Sequence, residues 1–248
     1  MPPTARALRR IEAAPGTTVD ETSWPDSVPA VRQLLTDGLE VPAGVTFLVG
    51  ENGAGKSTLL EAVAELLGAH AEGGTRAHLA GPERGRSSDT STLGSRLRAV
   101  RGAGGRREVF FLRAETMHRF YDYLEESDRE SLHPVGHGFH HRSHGEGFLD
   151  LLESRYTAAA GLLLLDEPES ALSFDNCLVL AAGLQRAAEE GKQVLCATHS
   201  PLLTALPGAT VLEVGAEGIR PVAWEDLAVV KHWRFFLDAP ERYWRRVL

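Results

Sequence analysis

The chain has 248 residues, of which 43% are hydrophobic, with a formal net charge of -8 and two cysteines. This buries a real core in one large domain, or in one domain with a small inserted subdomain, and excludes a disordered tail. An acidic balance argues against a surface built mainly to neutralise nucleic-acid phosphates, and the longest strongly apolar run, ending at Leu165, falls far short of the roughly 20 residues that span a bilayer.

The first forty residues are rich in Pro, Asp and Thr and read as irregular structure with one short helix in "VPAVRQLL". At Val45 the pattern changes. "VTFLV" is β-branched and apolar without alternation, the mark of a strand buried on both faces of a parallel sheet. A glycine loop follows, then a helix with Leu59, Leu60, Val63, Leu66 and Leu67 on one stripe and Gly68 at its stop. From Gly81 to Arg107 the Gly, Ser and Arg content predicts exposed hairpins and loops. "EVFFLRAE" (Glu108 to Glu115) is the next strand, its apolar centre running into a polar end. Residues 116–157 read as a short helical subdomain interrupted by "HPVGHGFHHRSHGEG".

"GLLLLDEPE" and "QVLCATHS" are two further buried strands, and the helix between them calls for a parallel crossover. "VLEVGAEGIRPV" reads as a hairpin. The terminal "WRFFLDAPERYWRRVL" reads as one or two amphipathic helices whose aromatics serve packing. The expected fold is α/β: a mainly parallel central sheet flanked by helices, a small antiparallel β part and the short inserted helical subdomain, all within a single domain over 1–248.

Three motifs carry chemistry. "GENGAGKST" places Gly50, Gly55, Lys56 and Ser57 in the spacing G-x-x-x-x-G-K-[ST], after a strand and before a helix. Backbone N–H groups from Gly50, Glu51, Asn52, Gly53, Ala54 and Gly55 through Thr58 can ring an anion, and the helix N-terminus adds partial positive charge. Lys56 then reaches the outer phosphates of a nucleoside triphosphate and Ser57 ligates Mg²⁺. A kinase would share such a cradle. "LLLLDEPES" is what favours hydrolysis: Asp166 belongs in the Mg²⁺ shell, and Glu167, one residue on, suits a base that prepares water. "ATHS" puts His199 at the carboxyl end of its strand, the edge where open α/β sheets bind ligands, as a contact to the γ-phosphate.

Taken in this order, the three motifs resemble the nucleotide-binding domain of the ABC-type ATPase superfamily, and within it the compact stand-alone ATPases. The resemblance implies that ATP and Mg²⁺ are bound and that ATP is hydrolysed. It also implies a signature loop, matched in part by "RSHGEG": Ser143, Gly145 and Glu146 fit, whereas His144 replaces a glycine and Arg142 a leucine. In that family the loop completes the site of a second subunit, so an ATP-dependent homodimer is expected. Glu115 stands where a metal-sensing glutamine is usual, with Arg113 as a substitute. "SALS", Ser170 to Ser173, takes the place of a dimer-interface loop whose final Asp is here Ser173. Trp24 is the candidate adenine-stacking residue.

His133, His137, His140, His141 and His144 cluster without a Cys or paired carboxylate, which favours a solvated or ligand-facing loop over a metal site. Reduced cysteines and the absence of a charged-then-apolar leader lead to an expected cytoplasmic location. Two other roles stay open for such an ATPase. A transporter subunit is disfavoured by the short span between "FLRAE" and "SHGEG". A DNA-repair or chromosome-maintenance ATPase is disfavoured by the lack of a sustained heptad between Lys56 and Asp166. An unknown protein partner fits any of these roles.

Overall fold

The computed structural model describes residues 6–69, 92–102, 105–114 and 155–247. In chain order its main elements are β1 (Arg10–Ala13), α1 (Pro29–Asp37), β2 (Leu39–Glu40), β3 (Val45–Val49), α2 (Lys56–Leu67), β4 (Leu97–Val100), β5 (Glu108–Arg113), β6 (Ala160–Asp166), α3 (Phe174–Glu189), β7 (Gln193–Thr198), β8 (Thr210–Gly215), β9 (Gly218–Pro221), α4 (Ala228–Asp238) and α5 (Pro240–Val247). Six strands make one sheet in the order β5-β6-β7-β3-β8-β9. Every neighbouring pair in it is parallel except the β8–β9 hairpin.

Both faces of this sheet are covered, which is why β3 and β6 are buried at every position and mainly apolar rather than alternating. The period of two still sorts their side chains between two cores. Leu48, Leu162, Leu164 and Leu195 share one with Leu59, Leu60 and Val63 of α2 and with Val31 and Leu34 of α1. Phe47, Val49, Leu163, Leu165 and Cys196 share the other with Cys177, Leu180 and Leu184 of α3 and Val230 of α4. Helix α2 ends as its sequence predicts: Gly68 is left-handed and its N–H bonds back to the last turn.

The second sheet meets one expectation and corrects where its strands come from. Its order is β2-β1-β4, antiparallel: this is the expected small antiparallel part, but it draws strands from the N-terminal forty residues, read as irregular with one helix, and its β4 pairs with β1 rather than in a local hairpin. Four- and two-residue strands hold too few positions to show a period, and β1 finds β4 some 85 residues downstream in the register Arg10↔Val100. Gln193, wholly buried at the start of β7, ties the N-terminal segment to the main sheet: its side-chain oxygen accepts from Leu8 N at 2.8 Å, and its amide donates to Leu8 O at 2.8 Å and Pro42 O at 2.9 Å.

The terminal aromatics are a further correction. Trp233, Phe235 and Trp244 are 49%, 62% and 53% exposed, so only part of that set packs, chiefly Phe236 edge-on against Trp233 and Tyr243. The expected 116–157 subdomain lies outside the described residues but for its last three positions, which belong to a one-turn helix at Arg155–Ala158.

Candidate functional site

Parallel strands end on one side of a sheet, so β3, β5, β6 and β7 bring Gly50, Arg113, Asp166, Glu167 and His199 to a single edge. Side chains 30 to 143 positions apart in sequence meet there.

The loop between β3 and α2 needs its glycines for two different reasons. Gly55 has φ +98° and faces Val28, whose Cγ1 would stand 2.7 Å from any added Cβ. Gly50 runs so close to β8 that a Cβ would enter the space of the Val214 carbonyl. Helix α2 then starts on Gly55 with no side-chain cap and no acid in its first turn. Its first N–H groups are therefore left for an anion, and the helix dipole favours one.

Lys56 is buried, and burial is the main force pulling its ammonium below the ordinary lysine range, opposed by Glu167, Asp166 and Glu169. Its Nζ donates to Gly50 O at 2.9 Å and Glu51 O at 3.0 Å, and stands 3.0 Å from His199 Nε2. The same Nε2 lies 2.8 Å from Glu167 Oε1. One ring nitrogen either donates to the carboxylate or accepts from the ammonium, so these three side chains share one proton position. Glu167 reaches this place by an unusual backbone: at φ 50° it is the one non-glycine with positive φ among the described residues, held by Glu167 N donating to Ala197 O at 2.9 Å. Holding such a conformation costs on the order of 1 kcal/mol, and it turns the side chain out of the strand line.

Asp166, 5% exposed, accepts from Ser57 Oγ at 3.0 Å through Oδ1. Its carboxyl is pushed up to about 6, first by burial, with the Ser57 hydrogen bond and Arg113 opposing. Arg113 Nε lies 3.4 Å from Asp166 Oδ2, and its Nη1 pairs with Glu61, one turn after Ser57 on α2. The register Arg113↔Asp166 across β5 and β6 sets this contact. A hydroxyl beside a carboxylate oxygen, both hard donors, fits Mg²⁺, which takes one or two protein oxygens and completes its shell with phosphate and water. Among the described residues no group of three or more His, Cys, Asp or Glu could hold a metal alone.

A cavity of about 320 Å³ opens over the loop, between Trp24 and Val28 on one side, Asn52, Gly53, Lys56, Ser57 and Thr58 beneath, and Glu167 beyond. Trp24 is 59% exposed at its rim. Its loop is clamped by Asp26, buried, which takes both Nη groups of Arg96 at 2.7 Å. The Arg96 hydrogen bond holds the Asp26 carboxyl below the usual range.

The structure thus brings together Trp24, the 50–58 loop, Asp166, Glu167 and His199. Ser143, Gly145, Glu146, Glu115 and the histidines from His133 to His144 lie outside the described residues. Ser173 has a structural use: its hydroxyl accepts from Asn176 N at 3.3 Å and caps α3. The motifs did not point to the Arg113–Glu61 pair or to Glu169, whose Oε1 accepts from Thr198 Oγ1 at 2.5 Å and His199 N at 2.7 Å. The sequence signal for Glu169 is the third acid of "DEPE", two residues past Glu167.

A family model described as AAA domain matches residues 34–116, the segment that holds the glycine loop and α2. No curated protein matches the sequence. Among solved structures, one described as an inward-facing metal-chelate type ABC transporter aligns at 20% identity and TM-score 0.46, covering 77% of this chain and 76% of that one. Another, cbiO1 from Clostridium perfringens, part of the ABC transporter complex cbiONQ, aligns at 15% identity and TM-score 0.44, covering 85% and 90%. At these values the site's own geometry, rather than the likeness, carries the chemistry.

Proposed function

We propose that this chain is an ABC-type P-loop ATPase that binds Mg²⁺-ATP, closes as a homodimer around it and hydrolyses it. The observation that carries this reading is the convergence, where the glycine loop meets one strand edge, of two contact groups: Lys56, His199 and Glu167 in one, Ser57 and Asp166 in the other.

The loop N–H groups and the α2 N-terminus bind the phosphates, and Lys56 neutralises the outer ones. Mg²⁺ bound beside Ser57 and Asp166 would offset charge on the β- and γ-phosphate oxygens. Glu167 lies beyond the loop, 2.8 Å from the imidazole, and accepts the proton of an attacking water. His199 holds Glu167 on one side and exchanges its contact with Lys56 for one to the terminal phosphate. Trp24 stacks on the base. Ser143, Gly145 and Glu146 contact the nucleotide held by the second copy, and Glu115 joins the metal's surroundings.

The single domain over 1–248, with a helical subdomain at 116–157, belongs to this proposal. So does a stand-alone cytoplasmic role, which the buried free thiols Cys177 and Cys196 support. Among the described residues no helix is long and apolar enough to cross a membrane. An ABC transporter subunit is the second reading, favoured by what the two structural neighbours are described as, and membrane co-purification with a hydrophobic protein would select it.

Glu167→Gln is the test. The variant should bind Mg²⁺-ATP as the parent does, become dimeric by light scattering, and hydrolyse about 100- to 10,000-fold more slowly. Monomers at saturating Mg²⁺-ATP would remove the dimer, and parent-like turnover would remove Glu167 as the base.

A further inference from the structure

Three carboxylates fall within four residues at the end of β6, Asp166, Glu167 and Glu169, and two of them have work in the proposed reaction. The third, Glu169, sits in the short turn Pro168–Ala171. It is half-buried. Its Oε1 accepts from the backbone N of His199 at 2.7 Å and from the hydroxyl of Thr198 at 2.5 Å, while its Oε2 is buried with no hydrogen-bond partner among the described residues. Burying a carboxylate so incompletely satisfied is costly, and a buried polar group left unmatched calls for a reason.

The reason lies in what its one engaged oxygen does. The chain leaves β7 at Thr198, and the direction of His199 depends on how that corner is held. Two anchors tie it to the turn after β6: Glu167 N donates to Ala197 O, and Glu169 takes the next two donors. The Thr198 hydroxyl completes the corner by accepting from Ser200 N at 3.0 Å. With the backbone fixed at 197, 198 and 199, the imidazole reaches the gap where Nε2 meets both Lys56 and Glu167.

We propose that Glu169 is a positioning residue for His199, its Oε1 pinning the end of β7 so that the imidazole bridges the phosphate-binding lysine and the water-activating glutamate. This rests on the ATPase reading above for its catalytic consequence, though not for its geometry. Glu169 acts as an acceptor through His199, and its charge is incidental.

Glu169→Leu removes the acceptor and Glu169→Gln keeps one while removing the charge. For Glu169→Leu, kcat should fall about tenfold, the worth of one such hydrogen bond, with the Kd for Mg²⁺-ATP within about threefold of the parent. Glu169→Gln should recover most of the lost rate. In a His199→Ala background, Glu169→Leu should cost nothing further. Nitrogen-15 NMR of the histidine rings in the nucleotide-free protein supplies a second readout: the His199 signals should move in Glu169→Leu and return in Glu169→Gln.

Equal losses from Gln and Leu, an undiminished effect of Leu without His199, or His199 signals that stay put in Glu169→Leu would each overturn the proposal. If the parent neither binds nor hydrolyses Mg²⁺-ATP, the ATPase reading fails, and the NMR comparison still decides the positioning role. A thermal melt of each variant shows that it is folded, and Glu169→Ala, which also removes the acceptor, stands in for Glu169→Leu should the latter not fold.

Discussion

The phosphate loop and the acid edge stand at neighbouring strand ends but are made of different material. The loop is built from backbone: glycines at 50 and 55 let the chain pass Val214 and Val28, and α2 begins without a side-chain cap. The acid edge is built from side chains, with Asp166, Glu167, Glu169, Arg113 and His199 held by one another across three strands. A backbone site is broken by adding bulk, whereas a side-chain site is broken by removing one polar group.

Gly50→Ala is the strongest test of the first half. The new methyl would collide with a strand carbonyl that cannot rotate away, so β3 and β8 must part, at a cost of about 3 kcal/mol or more. Urea unfolding should show that loss, and a variant within about 1 kcal/mol of the parent would mean the loop is not set by this approach. Lys56→Ala comes next and asks whether the backbone alone grips the ligand. Calorimetric affinity for Mg²⁺-ATP should fall about 100-fold, the scale of losing charge-assisted hydrogen bonds. Affinity equal to the parent's would sink the site.

The acid edge is expected to be strained until its ligands arrive. In the folded protein the Asp166 carboxyl titrates at about 6, against 3.8 ordinarily. Between these values the folded form keeps a proton that the unfolded chain has released. Stability therefore falls as pH rises across that window and stays low above it. A rise of about two units corresponds to at most about 3 kcal/mol, and relaxation of the unfolded chain reduces it to about 2 kcal/mol. Nucleotide-free Asp166→Asn should thus be more stable than the parent at pH 7.5, with the gap closing near pH 4. A gap of the opposite sign at pH 7.5 would show that Arg113 and Ser57 outweigh burial.

The same contrast explains what the sequence made legible. A backbone loop writes its requirements locally, in "GENGAGKST", because each glycine answers to its own φ or its own near neighbour. The acids and His199 were legible for another reason: each ends an apolar run, and parallel strands must end on one edge. What was not legible is pairing over distance. Arg113 meets Glu61 52 positions away, and Glu169 meets His199 30 positions away, with no period or motif to announce either. The strands β1, β2 and β4 are too short to carry an alternation. The terminal aromatics misled because a helical stripe of Trp and Phe reads as core whether or not anything covers it.

Trp24 joins the two halves, and it gives the smallest and most selective effect. It is not part of the loop and makes no polar contact with the acids; it stands at the cavity rim because Arg96 locks Asp26 two residues on. If its ring stacks on the base, Trp24→Ala should weaken ATP by about 1 kcal/mol, near fivefold, the scale of one aromatic contact beyond burial. Inorganic tripolyphosphate, which has no base, should bind both proteins alike. A Trp24→Ala variant that loses both ligands equally would place the ring in support of the loop through its neighbour Val28, which packs over Gly55. Asp26→Asn loosens the loop that carries Trp24 and, through Val28 N donating to Pro25 O at 3.0 Å, Val28 as well, so it should weaken ATP alone if stacking is the cause and both ligands if support of the loop is.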